Sequence, residues 1–142
     1  MQVSNETMKA NKAAVIRFNK DVIERGDPAA ARELFAPGFV NRTAPPGGPT
    51  GPEGMLSMFD QVLRPAFPDL VVEIHDQVAE GDKVTTRKTI HGTHRGELLG
   101  VRPTNKRVAI EVIDIVRLDG GRYVEHWGVN TFASVLASLQ GA

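Results

Sequence analysis

The spacing of apolar residues changes once along this chain, near residue 70, and that change restricts the fold more than any other feature. Before it, Val15, Phe18 and Val22, and later Met55, Met58, Phe59 and Val62, recur every three or four positions, the period of a helix with one buried face. After it, apolar residues alternate with polar ones, the period of strands with one buried face. A half-apolar sheet has to be covered, and the helices that precede it are the available cover. The order therefore predicts an α+β layer structure.

Local signals place the elements. A first helix is predicted from Asn5 to Arg25, capped by Gly26, and Asp27-Pro28 reads as the N-cap and first residue of a second helix reaching Leu34 and Phe35. Phe39 and Val40 read as a short strand, and the Pro/Gly-rich segment from Ala44 to Thr50 reads as a rim loop. Thr50 with Glu53 forms a capping-box pattern for a third helix that ends at Pro65. Strands are predicted over Leu70–Glu80, Val84–His94, Arg107–Leu118 and Tyr123–Asn130, with turns at Glu80-Gly81-Asp82 and Asp119-Gly120-Gly121-Arg122. Gly96 to Lys106 reads as a longer connection over one sheet end, and Phe132 to Leu139 as a closing helix. With no internal repeat, the 142 residues read as a single domain, 1–142.

Composition excludes several function classes. The 17 basic and 17 acidic side chains cancel, and no basic run is long enough to displace counterions from a nucleic acid. With no cysteine there is no disulfide framework and no thiolate chemistry. No stretch approaches the roughly 20 apolar residues of a membrane span, and Met1 to Lys12 lacks an apolar leader core. A cytoplasmic protein without nucleic-acid or membrane partners is expected.

Alternation sorts the strand residues into faces. Val84, Thr86, Lys88, Ile90, Gly92 and His94 share the inward side of one strand, and Asp114 lies in an apolar row with Val108, Ile110, Val112, Val116 and Leu118. In the last strand, Val124, His126, Gly128 and Asn130 share one side, and Tyr123, Glu125, Trp127 and Val129 the other. A three-residue loop, Gly120-Gly121-Arg122, would set Asp114 opposite Gly128 and Val116 opposite His126, whereas a two-residue Gly-Gly turn would bring Trp127 to Asp114; the longer loop is favoured. The same counting at Glu80-Gly81-Asp82 puts Asp76 opposite Thr86 and diagonal to Lys88, so that Asp76 would neutralise Lys88.

Five short motifs occur in an order that resembles the SnoaL-like polyketide cyclases: Ala66-Phe67-Pro68-Asp69-Leu70, Glu80-Gly81-Asp82, Gly92-Thr93-His94-Arg95-Gly96-Glu97, Pro103-Thr104 and Val124-Glu125-His126-Trp127. The resemblance spans roughly residues 12 to 140. It implies a cone-shaped curved antiparallel sheet covered by N-terminal helices and enclosing a pocket, related to nuclear transport factor 2, with a tendency to homodimers or homotetramers. It further implies acid–base aldol ring closure of a hydrophobic carbonyl compound without metal or cofactor, by an Asp placed directly after the His-Trp pair. Here that position is Gly128, and Asn105 stands where the family commonly has Gly after Pro-Thr.

Asp114, across from Gly128, is the expected replacement acid/base, because desolvation of a carboxyl in an apolar row raises its pKa toward neutrality. His94 and His126 complete the catalytic candidates, while Asn130, Phe59 and Trp127 are candidates for contacting substrate. Each has a plainer reading: His94 as a strand-end residue bonding the next loop, Asp114 as a structural carboxylate, Phe59 and Trp127 as core or subunit interface. Lys88 reads as an ion pair or, if neutral, a Schiff-base amine. His91 and His94 point to opposite faces, so no metal is expected. The leading expectation is a cyclase-like enzyme; a binding module that has lost the chemistry, or hydroxylation or epoxide hydrolysis in the same cavity, are the alternatives.

Overall fold

The computed structural model describes residues 2–141. The first helix, α1 (Asn5–Arg17), continues without interruption into a wider π-helical segment, π1 (Phe18–Glu24). Where it widens, the Asn19 side chain donates from Nδ2 to the Val15 carbonyl at 2.8 Å, competing for an acceptor of the helix itself. Gly26 follows with φ +67°, and the Arg64 guanidinium packs against it while donating to the Val22 and Ile23 carbonyls at 3.0 and 2.9 Å. As predicted, Asp27 caps α2 (Pro28–Leu34), its side chain accepting from the Ala29 amide at 2.9 Å.

The strand after α2 is longer than expected, β1 (Phe35–Asn41). The third helix begins later than the Thr50–Glu53 pattern predicts. Gly51 is the N-cap of α3 (Pro52–Ser57) and makes no side-chain cap bond; the helix runs on through π2 (Met58–Leu63) and the short turn α4 (Arg64–Ala66).

The sheet has five strands in the order β1-β5-β4-β3-β2, with β2 (Val71–Glu80), β3 (Lys83–Thr93), β4 (Arg107–Asp119) and β5 (Arg122–Asn130) forming an antiparallel meander. The predicted α+β class with N-terminal helices over the sheet is thus present, with β1 added at the edge parallel to β5. The helix α5 (Phe132–Gln140) closes the chain. At the other edge, Lys20 donates to the Val72 carbonyl at 2.8 Å and Glu24 accepts from the Val72 amide at 2.7 Å, so π1 occupies groups that β2 would otherwise leave free.

Both hairpins depart from simple counting. Gly120 and Gly121 have φ of +59° and +79° and form a two-residue turn, which by itself would set Trp127 against Asp114. Val124, however, is an extra residue between the Leu118–Tyr123 and Arg117–Glu125 pairs. This bulge restores the expected partners, Val116 with His126 and Asp114 with Gly128. It also reverses the alternation before it, so Tyr123 is buried on the inner side rather than sharing the outer face with Glu125 and Trp127.

In β2, Gly81-Asp82 is likewise a two-residue turn, and His75 is the extra residue. Asp76 therefore pairs with Arg87 and points outward, its carboxylate accepting from Arg87 Nε at 2.7 Å. The expected Asp76–Lys88 pair does not form, because the bulge turns the Asp76 side chain to the opposite face. The core lies between the inner sheet face and the helices, and includes an aromatic group in which Tyr123 stacks on Phe18 with centroids 4.2 Å apart and Phe35 and Phe39 pack alongside. Among the described residues no helix is long and apolar enough to cross a membrane.

Candidate active site

A cavity of about 520 Å³ opens between the inner face of β3–β5, the π2 helix and the loop after β1. Most of its wall is apolar, with Phe59, Met58, Val62, Ile90 and Ile110 among the lining residues. Its polar residues lie mainly along the strands: Lys88, Asp114, Tyr123, His126 and Asn130 from the meander and Asn41 from the end of β1. Asp114, His126, Asn130 and Phe59 all line this one cavity.

The tautomer of His126 follows from its neighbours. Asn41 Oδ1 accepts from the Thr43 backbone amide at 3.2 Å, which identifies that atom as the amide oxygen. The same oxygen lies 2.9 Å from His126 Nδ1, so Nδ1 carries a proton and donates it. The other nitrogen, Nε2, stands 3.5 Å from Asp114 Oδ2, so a proton taken up on Nε2 faces that carboxylate.

Asp114 does not have the raised pKa expected of it. Burial alone would push its carboxyl up, but the Lys88 ammonium and the His126 ring outweigh burial and hold it below the ordinary value of 3.8. Lys88 donates to Asp114 Oδ2 at 3.2 Å and to Asn19 Oδ1 at 2.7 Å. Alternation identified Lys88 as inward-facing but could not name a partner on β4. Asp114 is therefore a carboxylate that can steady a cation on His126, and its second oxygen, Oδ1, is buried with no hydrogen-bond partner.

Gly128 leaves the space that His126 occupies. A Cβ at position 128 would lie 3.0 Å from His126 Cε1, 3.3 Å from Nε2 and 3.4 Å from Asp114 Cβ. A side chain there and the present imidazole position are in direct competition.

Alternation groups Tyr123 with Glu125, Trp127 and Val129, but the Val124 bulge separates it from them and it lines the cavity. Burial, and then the charge of Asp114, push its phenol pKa well above 10.0, so it enters the cavity wall as a protonated donor. Asn19 and Asn41, which orient Lys88 and His126, also escaped the sequence reading; both are polar residues without a repeating pattern.

Two candidates lie elsewhere. His94 is fully buried at the end of β3, where Nδ1 accepts from the Thr104 amide at 3.2 Å and meets the Thr104 hydroxyl at 3.0 Å. It does not line the cavity and secures the connection between β3 and β4, since its position at the strand end carries it beyond the inner row. Trp127 is opposite Ile115 on the outer face, with the Lys83 ammonium 5.9 Å from its ring centroid, because the Asp114–Gly128 register turns it away from the cavity. Asn105 has φ +59°, the left-handed conformation that Asn tolerates in place of Gly. Among the described residues no group of three or more His, Cys, Asp or Glu is arranged to hold a metal ion.

Comparison with known proteins identifies the family and the fold. The family model for SnoaL-like polyketide cyclase matches residues 13–139. IdmH from Streptomyces antibioticus, named a putative polyketide cyclase, is 31% identical over 93% of this chain and 99% of its own, with a TM-score of 0.79. AclR from Streptomyces galilaeus, named a putative hydroxylase, is 29% identical over 95% of this chain and 98% of its own, with a TM-score of 0.81. A SnoaL-like protein from Jannaschia shares the fold at 23% identity, covering 100% of this chain and 99% of its own with a TM-score of 0.82. No curated protein matches the chain. The match along nearly the whole length, together with the shared helix-covered sheet, shows that the chain belongs to the SnoaL-like polyketide cyclase family, within the nuclear transport factor 2-like superfamily.

Proposed function

We propose that the protein is a cyclase-type enzyme that moves a proton on a hydrophobic carbonyl compound, with His126 as the group that carries it. The observation that supports this most is the pairing of His126 Nε2 with the Asp114 carboxylate at 3.5 Å on the wall of a mostly apolar cavity. Nε2 takes a proton from the carbon next to the substrate carbonyl, and the electron pair of that C–H bond forms the enolate. The resulting imidazolium faces the Asp114 carboxylate, which stabilises it by the attraction of opposite charges at short range. The enolate carbon then attacks a second carbonyl of the same molecule, a C–C bond forms, and the new alkoxide recovers the proton from His126. Tyr123, protonated and on the same wall, is available to donate to a substrate oxygen.

The experiment is hydrogen–deuterium exchange at the α-carbon of small diketones in heavy water, followed by NMR. Wild-type protein is expected to accelerate exchange, and His126→Gln to abolish the acceleration. Equal exchange by both proteins would sink the assignment.

The likeness to AclR supports a second reading, hydroxylation in the same cavity. A product that gains an oxygen atom without ring closure would favour it.

A further inference from the structure

Lys88 is 4% exposed, and its ammonium has an acceptor on either side, Asn19 Oδ1 at 2.7 Å and Asp114 Oδ2 at 3.2 Å. Asn19 is fully buried and cannot turn freely. Its Nδ2 is committed to the Val15 carbonyl at 2.8 Å, which leaves Oδ1 to face Lys88. The junction of α1 with π1 is the place where this side chain enters the core. Two of the three ammonium protons are therefore spoken for, and the nitrogen is not offered to the cavity as a free nucleophile.

Asp114 Oδ2 is held in turn between Lys88 and His126. The groups that face this carboxylate are Lys88 from β3, His126 and Tyr123 from β5, and Asn19, uncharged, through Lys88 from the helix. Lys88 is the one amine among them, and no other Lys or Arg is among the residues lining the cavity.

We propose that Lys88, steadied by Asn19, is a positioning residue that holds Asp114 as an anion with Oδ2 fixed toward His126, so that His126 and not Asp114 carries the proton. This deepens the acid–base reading given above and rests on it. Without Lys88 a carboxyl group in an apolar wall favours its neutral form. A neutral Asp114 would no longer stabilise an imidazolium, and two proton carriers would compete at one place.

The test follows the Asp114 carboxyl carbon by ¹³C NMR in protein labelled at aspartate, its signal identified by its loss in Asp114→Asn. Lys88→Met is expected to move the Asp114 titration upward by at least about one pH unit, the usual effect of removing an opposite charge at this range, while Lys88→Arg stays near wild type. An unchanged titration in Lys88→Met overturns the proposal. Should that variant not fold, the double variant Lys88→Met with Asp114→Asn is expected to fold, because both members of the buried pair are then gone. A double variant as unfolded as the single one would show that Lys88 serves packing instead, and would equally overturn it. Borohydride reduction of wild type with acetylacetone is expected to leave Lys88 unmodified by mass spectrometry; an adduct at Lys88 would contradict the positioning role. The titration needs no substrate, so its outcome is independent of whether α-proton exchange is observed.

Discussion

His126 Nε2 stands 3.5 Å from Asp114 Oδ2 across the β4–β5 pair, while its other ring nitrogen is bound to Asn41 at 2.9 Å. One nitrogen is thus fixed as a donor, leaving the other to exchange a proton beside a permanent negative charge. Replacing His126 by Gln or Asp114 by Asn is expected to lower kcat by about 10²–10⁴-fold, the range for a general acid–base group. Because the two act as a unit, the double variant is expected to lose little more than either single one, as measured by steady-state kinetics or α-proton exchange.

Acid stability should report on the same carboxylate. The folded pKa of Asp114 lies below its ordinary value of 3.8, through Lys88 and His126 acting against burial. A depressed carboxyl contributes stability that is present above the unfolded pKa and is lost as pH falls through the folded one. The difference in Tm between wild type and Asp114→Asn is therefore expected to be full at neutral pH and to shrink below about pH 3.8. A difference that already changes between neutral pH and that region would mean a raised folded pKa and would contradict the ionised state.

Gly128 should resist substitution for a steric reason. Its Cβ would press on the His126 ring at 3.0 and 3.3 Å, closer than ordinary contact. Gly128→Ala is expected to cost about 1–3 kcal/mol of stability and to reduce kcat by up to about 10²-fold, since a small displacement of a proton carrier is enough to do so. Gly128→Asp, which places the family's usual residue here, is expected to be less active than wild type. Both are read by urea unfolding and kinetics.

His94 is expected to matter for stability alone. It binds Thr104 from beneath the connection that leads to β4, and its Nε2 has no partner in the buried surroundings. His94→Ala is expected to lose about 1–3 kcal/mol, as for a buried hydrogen-bonding group left without its partner, while kcat of the folded protein is unchanged. A large fall in kcat at full stability would return His94 to the catalytic group.

Gly96 is held against the turn before β2. Its amide donates to the Ala66 carbonyl at 3.1 Å, and a Cβ would come within 2.0 Å of the Pro65 carbonyl oxygen. Gly96→Ala is expected to destabilise by more than about 3 kcal/mol, since backbone would have to move on both sides. Thermal unfolding of the variant measures this directly.

Local regularities carried the sequence a long way. The change of period near residue 70, the Gly26 and Asp27-Pro28 punctuation and the glycine-containing turns determined the order and type of the elements, because caps, turns and hydrophobic faces depend on neighbours a few residues away. They also placed Asp114 and Lys88 inside and Asp114 opposite Gly128. What the local pattern cannot hold is parity after an inserted residue. Val124 brings Tyr123 into the cavity and His75 sends Asp76 out of it, since one extra residue inverts the alternation between the segments on either side of it. With Asp76 outside, Lys88 is left to Asn19 and Asp114, groups 69 and 26 residues distant. The charge of Asp114, on which the role proposed for His126 rests, was therefore decided by tertiary structure: a pKa depends on which charges stand within a few ångströms, and only the folded sheet brings them there.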